Sequence, residues 1–240
     1  MLAIETNKLT KKFKEKTAVN EINLKINEGE LFALLGTNGA GKTTTIKMLS
    51  TLILPTAGEI KIKGLDIIKD RQEIKEILNV SPQETAIAPN LSVKENLEFM
   101  AGVYQIPNKK EKIDELVKIF KLEEVLKQKA KTLSGGWQRK VSIAISLINN
   151  PKILFLDEPT LGLDVIARKE LWAVIETLKG KITIILTTHY MEEAERLSDR
   201  IGIMAKGKLI DVGTSKELIQ KTGAKNFEDA FVKIATGGEL

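Results

Sequence analysis

Gly36, Gly41, Lys42 and Thr43 follow the order glycine, four residues, glycine, lysine, threonine, with Asn38 and Gly39 inside the loop and Thr44 directly after it. Such a loop lets backbone N–H groups converge on phosphate oxygens, and a helix starting near Lys42 adds the partial positive charge of its N-terminus. Lys42 is placed to reach the β and γ phosphates, and the Thr43 hydroxyl offers a hard oxygen to Mg²⁺. These residues are candidate ligands of Mg·ATP. A glycine-rich turn without a ligand is the plainer alternative.

A second group would complete that chemistry. The apolar run at residues 153–156 ends in Asp157 and Glu158. Neighbouring side chains on a strand point to opposite sides, so the two carboxylates should take different tasks. Asp157 is the expected Mg²⁺ partner through water. Glu158 is then free to accept a hydrogen bond from the attacking water, as base or positioning group. The alternative is a pair of acids capping the turn into Pro159. His189, the single histidine, follows Thr187 and Thr188 after a third apolar run, which suggests a contact to the γ-phosphate. Ser134, Gly135 and Gly136, followed by Trp137, form a turn into a helix start and so a second anion cradle. One nucleotide needs one phosphate loop, so the extra cradle suits a nucleotide held by another copy of the chain.

The elements that must hold these groups are legible in part. Residues 31–35, 153–156 and 182–186 are continuous apolar runs ending in glycine or polar residues, the pattern of strands buried on both faces. Ile22, Leu24 and Ile26 alternate as a half-buried strand does. Three buried strands separated by helical patterns predict an α/β sheet with its site at the strands' C-terminal ends. Ser92 with Glu95 forms a capping box opening a helix through Met100, and Ile113, Leu116, Val117 and Phe120 share one face of a second helix. No strand pattern appears between about 84 and 133. The span at about 84–140 is therefore expected to be a helical subdomain inserted in the core, with residues 141–147 on a helix leading back. Residues 214–218 and 227–234 also have helical patterns, and a short helical tail is expected over 221–240.

Composition narrows the class. The chain is 42% hydrophobic and 29% charged, enough apolar content for a sizeable core and too little charge asymmetry for a disordered chain. Its longest uncharged stretches, such as 48–58 and 141–151, have 11 residues, short of the roughly 20 a membrane helix needs. Glu5 and Lys8 fall among the first ten residues with no apolar signal region, so no secretory leader is expected. Cysteine is absent, which excludes disulfides and thiolate metal sites. Thirty-seven basic against 32 acidic residues give +5. That bias suits a polyanionic ligand or an anionic membrane surface, or simply solubility.

Taken together, these motifs resemble the nucleotide-binding subunit of an ABC transporter over about residues 2–220. The resemblance implies a phosphate-loop NTPase with a mixed sheet core and an inserted helical subdomain. It implies that Phe13, ahead of the first strands, stacks on adenine; an ordinary core phenylalanine is the alternative. Gln83 matches the glutamine that touches metal and water and relays motion to a membrane partner. Asp164, in Leu161-Gly162-Leu163-Asp164, matches the loop facing the second subunit, though Leu161 stands where a serine is usual. Trp137 stands where the signature motif often has glutamine.

Two such subunits would then face head to tail, each ATP lying between one chain's phosphate loop and the other's signature, against a membrane-spanning permease and at the cytoplasmic face of the membrane. No nucleic-acid partner is expected. The segment from His189 to Glu195 and the short tail resemble the bacterial exporter branch for drugs, sodium or antibiotic peptides, although an ordinary acidic helix start would look the same. The rival expectations are a soluble member of the same ATPase family and a non-catalytic nucleotide-gated module. Glu158 argues against the latter.

Overall fold

The computed structural model describes residues 1–237. The strands in chain order are β1 (Leu2–Phe13), β2 (Lys16–Asn27), β3 (Leu31–Gly36), β4 (Ala57–Ile62), β5 (Leu65–Asp66), β6 (Leu78–Ser81), β7 (Ile153–Asp157), β8 (Thr183–Thr188), β9 (Arg200–Ala205) and β10 (Lys208–Gly213). The helices are α1 (Lys42–Leu49), α2 (Arg71–Ile77), α3 (Val93–Val103), α4 (Lys109–Phe120), α5 (Gly135–Ser146), α6 (Val165–Leu178), α7 (Met191–Leu197), α8 (Ser215–Thr222) and α9 (Phe227–Thr236).

Six strands form the main sheet in the order β10-β9-β3-β8-β7-β6, parallel except for β10. Its central strands are apolar on both sides because both faces are covered. On β7, Ile153 and Phe155 enter one hydrophobic cluster while Leu154 and Leu156 enter another on the opposite face. The first face is closed by α1 and by a second, antiparallel sheet in the order β2-β1-β4-β5. The second is closed by α5, α6 and the helices of the middle segment. A third cluster joins Ala33, Leu35, Ile201 and Ile203 to α7, α8 and α9.

The register sets the site. Leu35 pairs with Thr188, Asp157 with Thr187, and Ser81 with Leu156, so β3, β8, β7 and β6 end side by side. The loops bearing the phosphate motif, the two carboxylates, His189 and Gln83 therefore leave one edge of the sheet, where such folds bind ligands.

The middle segment runs from β6 to β7 without a named strand, through α3, α4, two 3₁₀ turns and α5, with one isolated bridge between Ser92 and Lys129. The Ser92 capping box is present: Ser92 Oγ accepts from the Glu95 N–H at 3.2 Å, and Glu95 Oε2 accepts from the Ser92 N–H at 2.7 Å. The expected start of a tail at residue 221 falls inside α8. A Thr214–Glu217 capping box opens that helix, and Gly223 at φ 60° closes it. Residues 238–240 of the expected tail lie outside the described residues. Phe13 is not ahead of the strands: it ends β1, paired with Lys16 across the hairpin. No helix among the described residues is long and apolar enough to cross a membrane.

Candidate functional site

The phosphate motif forms the turn between β3, which is buried throughout, and α1. Two of its glycines are dictated by space. A Cβ on Gly36 would stand 2.4 Å from the Met204 carbonyl oxygen, and one on Gly41, which has φ 104°, would stand 2.6 Å from the Ala18 carbonyl oxygen. The second is the helix N-cap, and α1 has no acidic residue in its first turn to offset the positive end of its dipole. Around this N-terminus lies a cavity of about 710 Å³. It is lined by Asn38, Gly39, Gly41, Lys42, Thr43 and Thr44 of the loop, by Gln83, Glu158, Leu161 and His189, and by Lys16–Ala18 with Lys206–Gly207.

The Thr43 hydroxyl donates to Asp157 Oδ1 at 3.2 Å, and the Thr187 hydroxyl donates to the same oxygen at 2.5 Å. Thr43 and Gln83, which line the cavity, and the Asp157 carboxylate behind the Thr43 hydroxyl make a hard-oxygen donor set suited to Mg²⁺. Among the described residues no group of three or more acidic or histidine side chains could cage a metal alone.

Glu158, expected to be free for a water, has both carboxylate oxygens engaged. Lys42 Nζ lies 3.2 Å from Oε1, and His189 Nδ1 lies 2.8 Å from Oε2. Lys42 also donates to the Gly36 carbonyl at 2.8 Å. Lys42 and Glu158 are both buried, and their pairing holds the two charges where an isolated one would be costly. The backbone of Glu158 has φ 49°. Of the ten non-glycine residues with positive φ among the described residues, only Thr51 and Glu158 are buried. Such a conformation costs on the order of 1–3 kcal/mol and persists only where the surroundings enforce it. The Glu158 N–H is held by Thr187 through its carbonyl at 3.1 Å and its hydroxyl at 3.0 Å.

The signature residues lie elsewhere. Ser134 is the N-cap of α5 yet makes no capping hydrogen bond, and Ser134 and Gly135 are exposed. None of the three signature residues lines the cavity. A Cβ on Gly136 would come within 3.0 Å of the Ala167 Cβ on α6, so that glycine is fixed by packing. Trp137 turns toward its own subunit, with Lys140 Nζ 4.4 Å from its ring centroid and Lys140 in turn paired to Glu170 at 2.7 Å.

Two expected ligands lie off the cavity of their own chain. Phe13 is 48% exposed, has the Lys11 ammonium 5.2 Å from its ring centroid, and does not line the cavity, whereas Lys16–Ala18 just after it do. Asp164 caps α6, its Oδ1 accepting from the N–H groups of Ile166 at 2.9 Å and Ala167 at 3.0 Å, and it too lies off the cavity. Two supporting residues were not anticipated. Arg139 donates to the Pro82 carbonyl at 2.7 Å and to the Gln83 carbonyl, fixing the Gln83 loop to the signature helix. Burial lowers the pKa of this guanidinium, with the Asp157 charge opposing. Glu193 is a buried carboxyl behind the Glu158 turn. Arg139 sits within the signature segment, but nothing local signals its target 56 residues away.

A model of the ABC transporter family matches residues 19–161. The human phospholipid-transporting ATPase ABCA3 is 44% identical over 213 residues, covering 88% of this chain but only 12% of that protein's length. The daunorubicin resistance ATP-binding protein DrrA3 of Streptomyces coeruleorubidus is 35% identical over 241 residues, covering 99% of this chain and 75% of the relative. Among solved structures, a dimeric post-hydrolysis state of the ATP-binding cassette MJ0796 with ADP and Pi superposes with a TM-score of 0.78. It is 28% identical and covers 88% of this chain and 98% of its own.

Proposed function

From the premise that this chain belongs to the ABC transporter family of ATP-binding domains, we propose that it is an ATP-hydrolysing subunit that powers an exporter from the cytoplasmic face of a membrane. The observation carrying this is the division of phosphate-binding groups. Lys42, Thr43, Asp157, Glu158 and His189 converge on one edge, while Ser134 and Gly135 present an exposed, uncommitted cradle outside the cavity. Two copies facing head to tail give that cradle a nucleotide to bind.

The chain's residues divide the work. The loop N–H groups and the α1 N-terminus hold the phosphates. Lys42 is shared between Glu158 and the Gly36 carbonyl, so a γ-phosphate that draws the ammonium away leaves Glu158 with one oxygen for a water. His189 holds the other oxygen and orients the carboxylate. Thr43, Asp157 and Gln83 would hold Mg²⁺, which supplies charge neutralisation at the β and γ phosphates. Clamping a nucleotide between two chains makes closure depend on ATP and opening on hydrolysis. Gln83, tied to α5 by Arg139, links that motion to a permease subunit against the helical segment at about 84–140. DrrA3, named for daunorubicin resistance, supports export as the direction.

The direct test is Glu158→Gln. It should retain ATP binding, lose hydrolysis by on the order of a hundredfold or more, and accumulate a closed dimer in sedimentation. Undiminished turnover would remove Glu158 from this role.

A further inference from the structure

Among the described residues Glu193, fully buried, forms no ion pair, and neither side chain that hydrogen-bonds its carboxyl, Thr160 or Trp172, lines the nucleotide cavity. Its Oε1 nevertheless accepts two hydrogen bonds from distant segments, from the Thr160 hydroxyl at 2.8 Å and from the Trp172 indole N–H at 2.9 Å. Thr160 and Trp172 are themselves 1% and 0% exposed. Thr160 comes two residues after Glu158, on the same strained turn, and Glu193 comes four residues after His189, on the first turn of α7. One carboxyl oxygen therefore joins the segment bearing Glu158 to the segment bearing His189, with α6 as the third anchor.

We propose that Glu193 is a positioning residue of the hydrolytic centre, pinning the Glu158 turn to the His189 segment so that the 2.8 Å contact between those two side chains is kept. The inference rests on the functional reading above and extends it to a residue behind the site. The Glu158 backbone, at φ 49°, is a conformation that persists only where its surroundings hold it. Thr187 holds the Glu158 N–H ahead of the turn, and Thr160 on Glu193 holds the chain behind it. The placement is costly. The second oxygen, Oε2, is buried with no geometrically sound hydrogen-bond partner among the described residues. Burial raises the pKa of the carboxyl, opposed by the Thr188, Trp172 and Thr160 groups beside it and reinforced by the Glu158 charge. Arg168 and Arg196 both lie 5.3 Å from the Trp172 ring centroid, yet neither pairs with the acid, and Arg168 reaches Glu192 instead. A fold that needed only packing here would be served by an apolar side chain. An acceptor for the Thr160 hydroxyl and the Trp172 N–H is what the position supplies.

The test uses the full chain and four proteins: the parent, Glu193→Ala, Glu193→Gln and Thr160→Val. Because His189 is the only histidine, its ring C–H resonances report on the Glu158 contact without assignment ambiguity. Glu193→Ala and Thr160→Val should shift those resonances and lower kcat for ATP about tenfold or more, with KM changed less than about threefold. Glu193→Gln, which can accept the same two hydrogen bonds, should restore both readouts to near the parent values. Unmoved histidine resonances in folded Glu193→Ala, or a kcat loss no larger than its loss of folded protein, would overturn the proposal, as would a folded Gln variant as impaired as Ala. If Glu193→Ala does not fold, Thr160→Val carries the same two outcomes. A parent chain without ATPase activity would contradict the functional reading, while the histidine resonances would still decide the role of Glu193.

Discussion

The two anion-binding turns of this chain are built in opposite ways. The loop from Gly36 to Thr43 is packed against Ala18 and Met204, its lysine is already paired with Glu158, and its Thr43 hydroxyl already donates to Asp157. The turn at Ser134 is exposed, and its serine hydroxyl forms no cap although it stands at the N-cap position. Both begin helices, so the helix terminus alone does not distinguish them. A site completed within one chain can satisfy its groups in the folded monomer. A half-site awaiting a second chain leaves its groups to water until that chain arrives.

The contrast can be broken most sharply with one methyl group. Gly41→Ala forces a Cβ into the Ala18 carbonyl at φ 104°. It should lose on the order of 1–3 kcal/mol of stability, roughly 2–4 °C of Tm per kcal/mol, together with ATP binding. Gly135→Ala meets only Leu163 Cδ2 at 3.9 Å. It should leave Tm within about 1 °C and ATP binding by the isolated chain intact, yet cut turnover by roughly tenfold or more by crowding the cradle. Equal melting losses in the two variants would erase the distinction.

A smaller effect separates capping from ligand binding. Asp164→Ala should cost about 1 kcal/mol through the lost α6 cap, a few degrees in Tm, without changing ATP affinity of the lone chain. A fall in affinity at unchanged Tm would return Asp164 to the nucleotide.

The smallest effect concerns pH. Glu193 has a folded pKa above its unfolded value, so the wild-type chain gives up stability as pH rises from the ordinary glutamate range toward that higher value. Glu193→Gln has no such loss. Its Tm advantage over wild type should therefore grow between pH 5 and pH 7.5, and an advantage that shrinks would contradict a raised pKa.

Much of the catalytic edge was legible because each part is local. β3, β7 and β8 are short apolar runs; Glu158 and His189 directly follow β7 and β8, and Lys42 and Thr43 come within seven residues of the end of β3. The capping box of α3 and the buried face of α4 were also plain. The antiparallel sheet was read only at β2. In β1, Glu5, Asn7 and Lys8 and register shifts around Leu9 break the alternation that marks a strand. β9 was missed because Gly202 interrupts its apolar run, although a Cβ there would meet the Phe32 ring at 2.9 Å. The supports of the site were hidden for a related reason. Thr160 and Glu193 are 33 residues apart, and only the sheet order makes them neighbours.

The central claim is that each active centre is completed by a second copy. It is tested most directly by mixing a Lys42→Ala chain with a Ser134→Arg chain. Each alone should be nearly inactive, whereas their heterodimer contains one undamaged centre and should recover ATP hydrolysis in proportion to its abundance. Absence of recovery in a preparation where heterodimers are demonstrably present would contradict the account.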